Sequence, residues 1–142
     1  MKRYTPEAIY ALRPGEVFVF GSNRNGDHYG GAAHVAHERF GAKWGVGEGL
    51  TGRSYALPTL DESMGRVSLG DLEESFRKLI ACAEAHPELT FLLTKVGCGI
   101  AGWGVAEVSD ALWRAANAYY ADGAPRLRNI VLPHEFAERL EA

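Results

Sequence analysis

Two short apolar runs, Val17-Phe18-Val19-Phe20 and Thr90 to Val96 (TFLLTKV), each lead into a glycine-rich segment and then into a helical pattern. This repeated order constrains the fold more than any other feature of the chain. Runs of β-branched, aromatic and aliphatic residues with no polar alternation read as strands buried on both faces. Strands of that kind need a crossover between them, and the intervening segments are long enough to supply one. Apolar positions recur at helical spacing from Ala32 to Phe40, with Ala32, Val35, Ala36 and Phe40 on one face and Gly41 as the stop. From Leu69 to Ala85 the stripe is Leu72, Phe76, Leu79, Ile80 and Ala83, with Ser68 or Asp71 as the cap. A third stripe begins at Val105 and passes through Val108, Leu112, Ala115, Ala116 and Tyr119, ending at Asp122-Gly123. Strand, loop and helix in this order, twice, predict an α/β fold: a three-layer α/β/α domain with a mixed, largely parallel sheet. The 142 residues fit a single domain spanning 1–142.

The remaining segments follow from local signals. Thr5-Pro6-Glu7 followed by Ala8, Ile9 and Leu12 predicts a short N-terminal helix, capped by Thr5 and started by proline. The segment from Gly21 to Gly31 reads as loop, and Trp44 to Gly52 as a second irregular glycine stretch. Ser54 to Leu57 reads as a strand ended by Pro58, Asn129 to Leu132 as a last strand, and Pro133 to Leu140 as a terminal helix. Trp113, on the helical stripe beside Leu112, reads as a packing residue.

Seventeen residues are glycine, well above the usual share of roughly 7%. They cluster rather than spread, which points to backbone that turns sharply or approaches a ligand closely. The net charge of −3 argues against general attraction to nucleic acid or to an anionic membrane. Cys82 and Cys98 form neither a disulfide framework nor a paired metal-ligand spacing, as expected of reduced thiols in the cytoplasm. MKRYTPEAIYAL lacks the apolar run and cleavage site of an export signal, and no stretch approaches the roughly 20 apolar residues that span a bilayer. A cytoplasmic protein with no membrane partner is the expectation.

Both glycine loops leave the C-terminal end of an expected strand and enter a helix N-terminus. In neighbouring strands they would meet at the sheet edge where open α/β sheets bind ligands. Helix N-termini offer unpaired N–H groups and partial positive charge, so phosphate is the natural guest. Neither loop has the Gly-Lys-Ser/Thr of a P-loop. Gly97-Cys98-Gly99-Ile100-Ala101-Gly102 matches Gly-x-Gly-x-x-Gly by letter, but no acidic residue is placed as a dinucleotide fold requires.

The motifs resemble those of the macrodomain superfamily, most closely small phage-type macro-like proteins. Val17 to Asn23 followed by Gly30-Gly31-Ala32-Ala33 is similar to the macrodomain strand that ends in asparagine before a glycine loop and helix. Gly47-Glu48-Gly49-Leu50-Thr51-Gly52-Arg53-Ser54-Tyr55-Ala56-Leu57-Pro58 is similar to the segment with an acidic residue, a threonine, a glycine and a strand ending in proline. Val96 to Gly102 resembles the second phosphate loop. The resemblance implies an ADP-ribose-like ligand, free or carried on a macromolecule, and needs neither cofactor nor metal. It puts Ser22 and Asn23 at the ligand, with Asn23 on the distal ribose. It puts the amides of Gly30, Gly31 and Ala32, and those of Gly97, Cys98, Gly99, Ile100, Ala101 and Gly102, on the diphosphate. Trp103 or Tyr29 would stack on a ribose or base. The acidic residues of the macrodomain hydrolases are absent: Ala33 or His34, and Ile100-Ala101, stand at two of their places, and a pair of adjacent glutamates is missing. Binding is therefore better supported than hydrolysis.

Two carboxylates remain as catalytic candidates. Glu48 sits among glycines where it can face a bound ribose, or be a solvated loop residue. Asp27 can contact an adenine amine or activate water with His28, or serve only as a turn former. His34, His37 and Glu38 at helical spacing read as a solvated face rather than a metal site. Cys98 precedes a helix N-terminus, which would favour a thiolate, though small packing between two glycines is the plainer account. Lys95 and Arg53 can balance phosphate charge. A phosphoesterase or glycosidase acting on another nucleotide, and a protein-interaction module of the same fold, remain as alternatives.

Overall fold

The structure is a computed structural model and describes residues 3–121 and 126–141. It is an α/β fold of five strands and four helices: β1 (Glu16–Asn23), α1 (Gly31–Arg39), β2 (Gly49–Thr51), β3 (Ser54–Leu60), α2 (Leu69–Ala85), β4 (Thr90–Leu93), α3 (Val105–Tyr119), β5 (Ile130–Val131) and α4 (His134–Glu141). The strands form one mixed sheet in the order β2-β3-β1-β4-β5. β1 lies at its centre and pairs in parallel with β3 on one side and β4 on the other. β4 and β5 are parallel, and β2 and β3 are antiparallel.

Alternation along β1 divides the apolar side chains between two clusters. Val17 and Val19 join Leu72, Phe76, Leu79 and Ile80 of α2, Val108 and Leu112 of α3 and Phe136 of α4. Phe18 and Phe20 point the other way and pack with Ala33, Ala36 and Phe40 at α1. Successive strand residues face opposite sides of a sheet, so β1 must be apolar throughout to serve both clusters.

Several boundaries differ from expectation. β1 does not stop at Phe20 but continues through Gly21, Ser22 and Asn23, paired with Leu57, Pro58 and Leu60. β3 likewise passes Pro58, where the β1–β3 register slips between Ser22 and Asn23; a bulge is one of the few places where a strand tolerates a residue with no N–H. β4 ends at Leu93, three residues early, and the stretch from Trp44 to Gly52 contains the short β2. No helix forms over residues 5–12. Thr5 donates both its N–H, to Leu132 O at 2.8 Å, and its hydroxyl, to Val131 O at 2.9 Å, so its capping groups extend the β5 edge instead. α2 has the expected bounds, and Ser68 caps it by accepting the Asp71 N–H at 3.0 Å. On α1 the buried residues are Ala33 and Ala36, while Ala32 faces solvent. Trp113 is 46% exposed and is not a core residue. The expected helix stop at Asp122-Gly123 lies outside the described residues; α3 ends at Tyr119, with Tyr120 as its cap.

Candidate functional site

Because β1 and β4 are parallel neighbours, the segments that follow them emerge side by side at the C-terminal edge of the sheet. A Cβ added to Gly21 would lie 3.7 Å from the Gly97 nitrogen, so the two loops touch at their roots. Between them opens a cavity of about 470 Å³, within the size range of small-ligand sites. The first loop lines it with Asn23, Asp27, Tyr29, Gly30 and Gly31, and the second with Gly97, Gly99, Ile100 and Ala101.

The donors of this cavity are backbone amides. The first hydrogen bond of α1 runs from His34 N–H to Gly30 O, at 3.2 Å, which leaves the amides of Gly31, Ala32 and Ala33 without an acceptor in the helix. Gly30 supplies no side-chain cap, and the first turn of α1 has no acidic residue to fill that role. In the second loop the amides of Cys98, Gly102 and Trp103 are used internally, donating to the carbonyls of Lys95, Gly99 and Gly97. Those of Gly99, Ile100 and Ala101 have no acceptor among the described residues. The start of α3 differs from that of α1, because its first turn carries an acidic residue, Glu107, which folds back to accept the Gly104 N–H at 3.0 Å. The acceptor-free amides at the cavity thus include those of Gly31, Ala32 and Ala33 at the α1 terminus and of Gly99, Ile100 and Ala101 at the tip of the second loop.

Most of the residues singled out in the sequence converge here, with definite exceptions. Ser22, Asn23, Gly30, Gly31, Ala32, Gly97, Gly99, Ile100 and Ala101 line the cavity; Cys98, Gly102 and Trp103 do not. Ser22 is buried and its hydroxyl donates to the Gly47 carbonyl. Asn23 is 6% exposed, and its carboxamide brackets the backbone of one loop residue: Nδ2 donates to Asp27 O at 2.9 Å and Oδ1 accepts Asp27 N–H at 3.1 Å. One N–H and one lone pair of that amide remain for a ligand. Trp103 lies beneath the loop, packed on the larger apolar cluster with the Arg66 guanidinium 3.7 Å from its ring centroid; its buried indole Nε1 has no hydrogen-bond partner among the described residues. Cys98 is half-buried. Burial pushes its thiol up, the Lys95 charge pulls it down and Glu135 adds to the rise, so a resting thiolate is disfavoured.

The charged candidates separate clearly. Asp27 faces the cavity, and its carboxylate makes no hydrogen bond or ion pair with another described residue. Glu48 does not reach the cavity and instead lies 3.4 Å from Lys78 on α2. Arg53 precedes β3 at the opposite edge of the sheet, where it donates to Arg13 O. Lys95 lines the cavity, but its ammonium is held by Glu135 at 2.8 Å and Glu7 at 3.1 Å, and both raise its pKa. His37 Nδ1 faces Ala42 O at 2.8 Å, and no cluster of three His, Cys, Asp or Glu able to hold a metal occurs among the described residues.

No protein-family model matches the chain, and neither a curated protein nor a solved structure is significantly similar to it.

Sequence reasoning missed Thr59, Leu60 and Met64, which also line the cavity. Thr59 and Leu60 lie at the C-terminal end of β3, and reaching them required knowing that β3 neighbours β1. Met64 carries no local signal. Among the described residues no helix is long and apolar enough to cross a membrane.

Proposed function

We propose that this chain is a macrodomain-like α/β/α module of the cytoplasm that binds ADP-ribose or a related NAD-derived nucleotide diphosphate, free or attached to a macromolecule. The observation that carries the reading is the pair of acceptor-free amide runs, from Gly31 to Ala33 and from Gly99 to Ala101, around one cavity. Such an array suits a group with several anionic oxygens, and it suits a diphosphate better than a single carboxylate. The one lysine at the cavity is already neutralised by Glu7 and Glu135, so the amides and the α1 dipole supply the attraction.

A second cleft of about 320 Å³ supports a ligand longer than a phosphate. It runs between α1 and the N-terminal segment, and it shares Ala32 and Thr94 with the cavity. Ile9, Tyr10, Phe18 and Val35 give it apolar walls for a flat base, and Glu7 offers an acceptor for an amine. Asp27 is the carboxylate available for proton transfer at the sugar end, which makes it the residue for any hydrolysis of ADP-ribosyl linkages.

Calorimetric titration with ADP-ribose, AMP, NAD and ribose 5-phosphate tests the proposal. Saturable ADP-ribose binding that weakens about a hundredfold in Gly99→Leu is expected, while Asp27→Asn keeps binding and removes any turnover. No heat with any of the four ligands on the wild-type protein would overturn the reading.

A further inference from the structure

A residue other than glycine with positive φ is uncommon, and for a bulky side chain the conformation costs free energy that something must offset. Two such residues occur in the described chain, Met64 at φ 66° and Leu127 at φ 41°. Leu127 packs against the larger apolar cluster, and burial accounts for it. Met64 has no such account: it is 53% exposed and belongs to neither cluster.

The turn that holds Met64 is tightly bonded. The Asp61 carboxylate accepts the N–H groups of Ser63 and Gly65, each at 2.9 Å. Met64 N–H donates to Asp61 O at 3.0 Å, and Asp61 N–H donates to Gly65 O at 2.7 Å. This geometry fixes position 64 in the left-handed region, where glycine or asparagine sits with less strain. What methionine adds there is its side chain, which lines the cavity. It is not alone: Tyr29 is 80% exposed and Ile100 84%, and both line the same cavity. Among the described residues, three of the seven exposed large hydrophobic ones therefore gather around the glycine loops, where a site for bare phosphate would have no use for them.

We propose that Met64 is a specificity-determining contact, kept in a strained conformation so that its thioether closes over a sugar of a nucleotide whose phosphates rest on the two loops. A flexible, polarisable side chain suits that task, because it adapts to the apolar face of a ribose without a fixed shape. The inference rests on the nucleotide reading of the cavity.

The strain makes a test with opposite signs possible. Met64→Gly and Met64→Asn are compared with wild type by thermal melting and by titration with ADP-ribose and with inorganic diphosphate. Both variants are expected to melt a few degrees higher, because the backbone relaxes. Both are expected to bind ADP-ribose about tenfold more weakly, from the loss of apolar contact, and diphosphate as tightly as wild type. Unchanged ADP-ribose affinity in the two variants would overturn the proposal, as would equal losses for both ligands. A lower melting temperature in both variants would overturn it too, since the thioether would then be serving the fold. A wild-type protein that binds diphosphate but not ADP-ribose defeats the nucleotide reading itself, and this inference with it, before any variant is made.

Discussion

At Gly47 an added Cβ would lie 2.6 Å from the Arg24 carbonyl oxygen, and at Gly52 within 2.8 Å of the Gly41 carbonyl carbon. At Gly30 and Gly99 it would meet nothing within 4 Å. The first pair belongs to the 41–52 stretch, which threads under the end of β1 and lets backbone press on backbone. The second pair belongs to the strand-to-helix loops and borders the cavity. Gly47 and Gly52 make room for the protein's own backbone, whereas Gly30 and Gly99 leave space open at the cavity. Glycine density alone does not tell the two apart; what a side chain would touch does.

The strongest way to break that comparison is Gly47→Ala. Its methyl group has rigid carbonyls to displace, not the flexible end of a side chain, so a loss of about 3 kcal/mol is expected in denaturant unfolding. A variant with wild-type stability would show that this stretch yields easily and that the division is false. Gly99→Leu is the complementary experiment. Position 99 lies outside the left-handed region and faces open space, so unfolding free energy should change by less than about 0.5 kcal/mol. ADP-ribose affinity should fall about a hundredfold as the side chain occupies the proposed diphosphate site. Gly31 is a poorer probe, because its φ of 60° would mix backbone strain with ligand exclusion.

The same contrast explains what could be read from the sequence. α2 was legible from end to end because Leu72, Phe76, Leu79 and Ile80 form its buried stripe and Ser68 caps it locally. Both loops were legible as loops because glycine follows an apolar run in each. Thr5-Pro6 misled, because its helix-start signal is local whereas the acceptors that won, the Val131 and Leu132 carbonyls, are more than 120 residues away. Trp113 misled because a helical stripe marks the buried face only to within about one position, and its ring falls outside the packed arc. Glu48 looked ligand-facing among glycines, but its direction depends on β2 pairing with β3, which turns it toward Lys78. Met64 was invisible, since its conformation comes from four hydrogen bonds of a turn and its position from the neighbourhood of β1 and β3.

Carboxylates divide as the glycines do, and this gives the smallest and most graded prediction. Asp27 faces the cavity with no partner for its carboxylate among the described residues, whereas Glu16, 6% exposed at the start of β1, serves the fold. Its carboxylate accepts the Arg13 N–H at 2.8 Å and the Arg3 guanidinium at 2.6 Å. Burial pushes the Glu16 carboxyl up, but the Arg13 amide and the Arg3 charge outweigh it and hold the group below its ordinary value of 4.5. A depressed folded value means that this stabilisation is complete above the unfolded pKa and is lost as pH falls through the folded one. Glu16→Gln should therefore cost about 1 kcal/mol at neutral pH, modest because Arg3 is partly solvated. The gap to wild type should close as the solution is acidified below pH 4.5. Denaturant midpoints of both proteins across that range check it. A gap that persists unchanged in acid would mean that the Glu16 carboxylate contributes shape rather than charge, and the separation of fold-serving from ligand-facing carboxylates would rest on Asp27 alone.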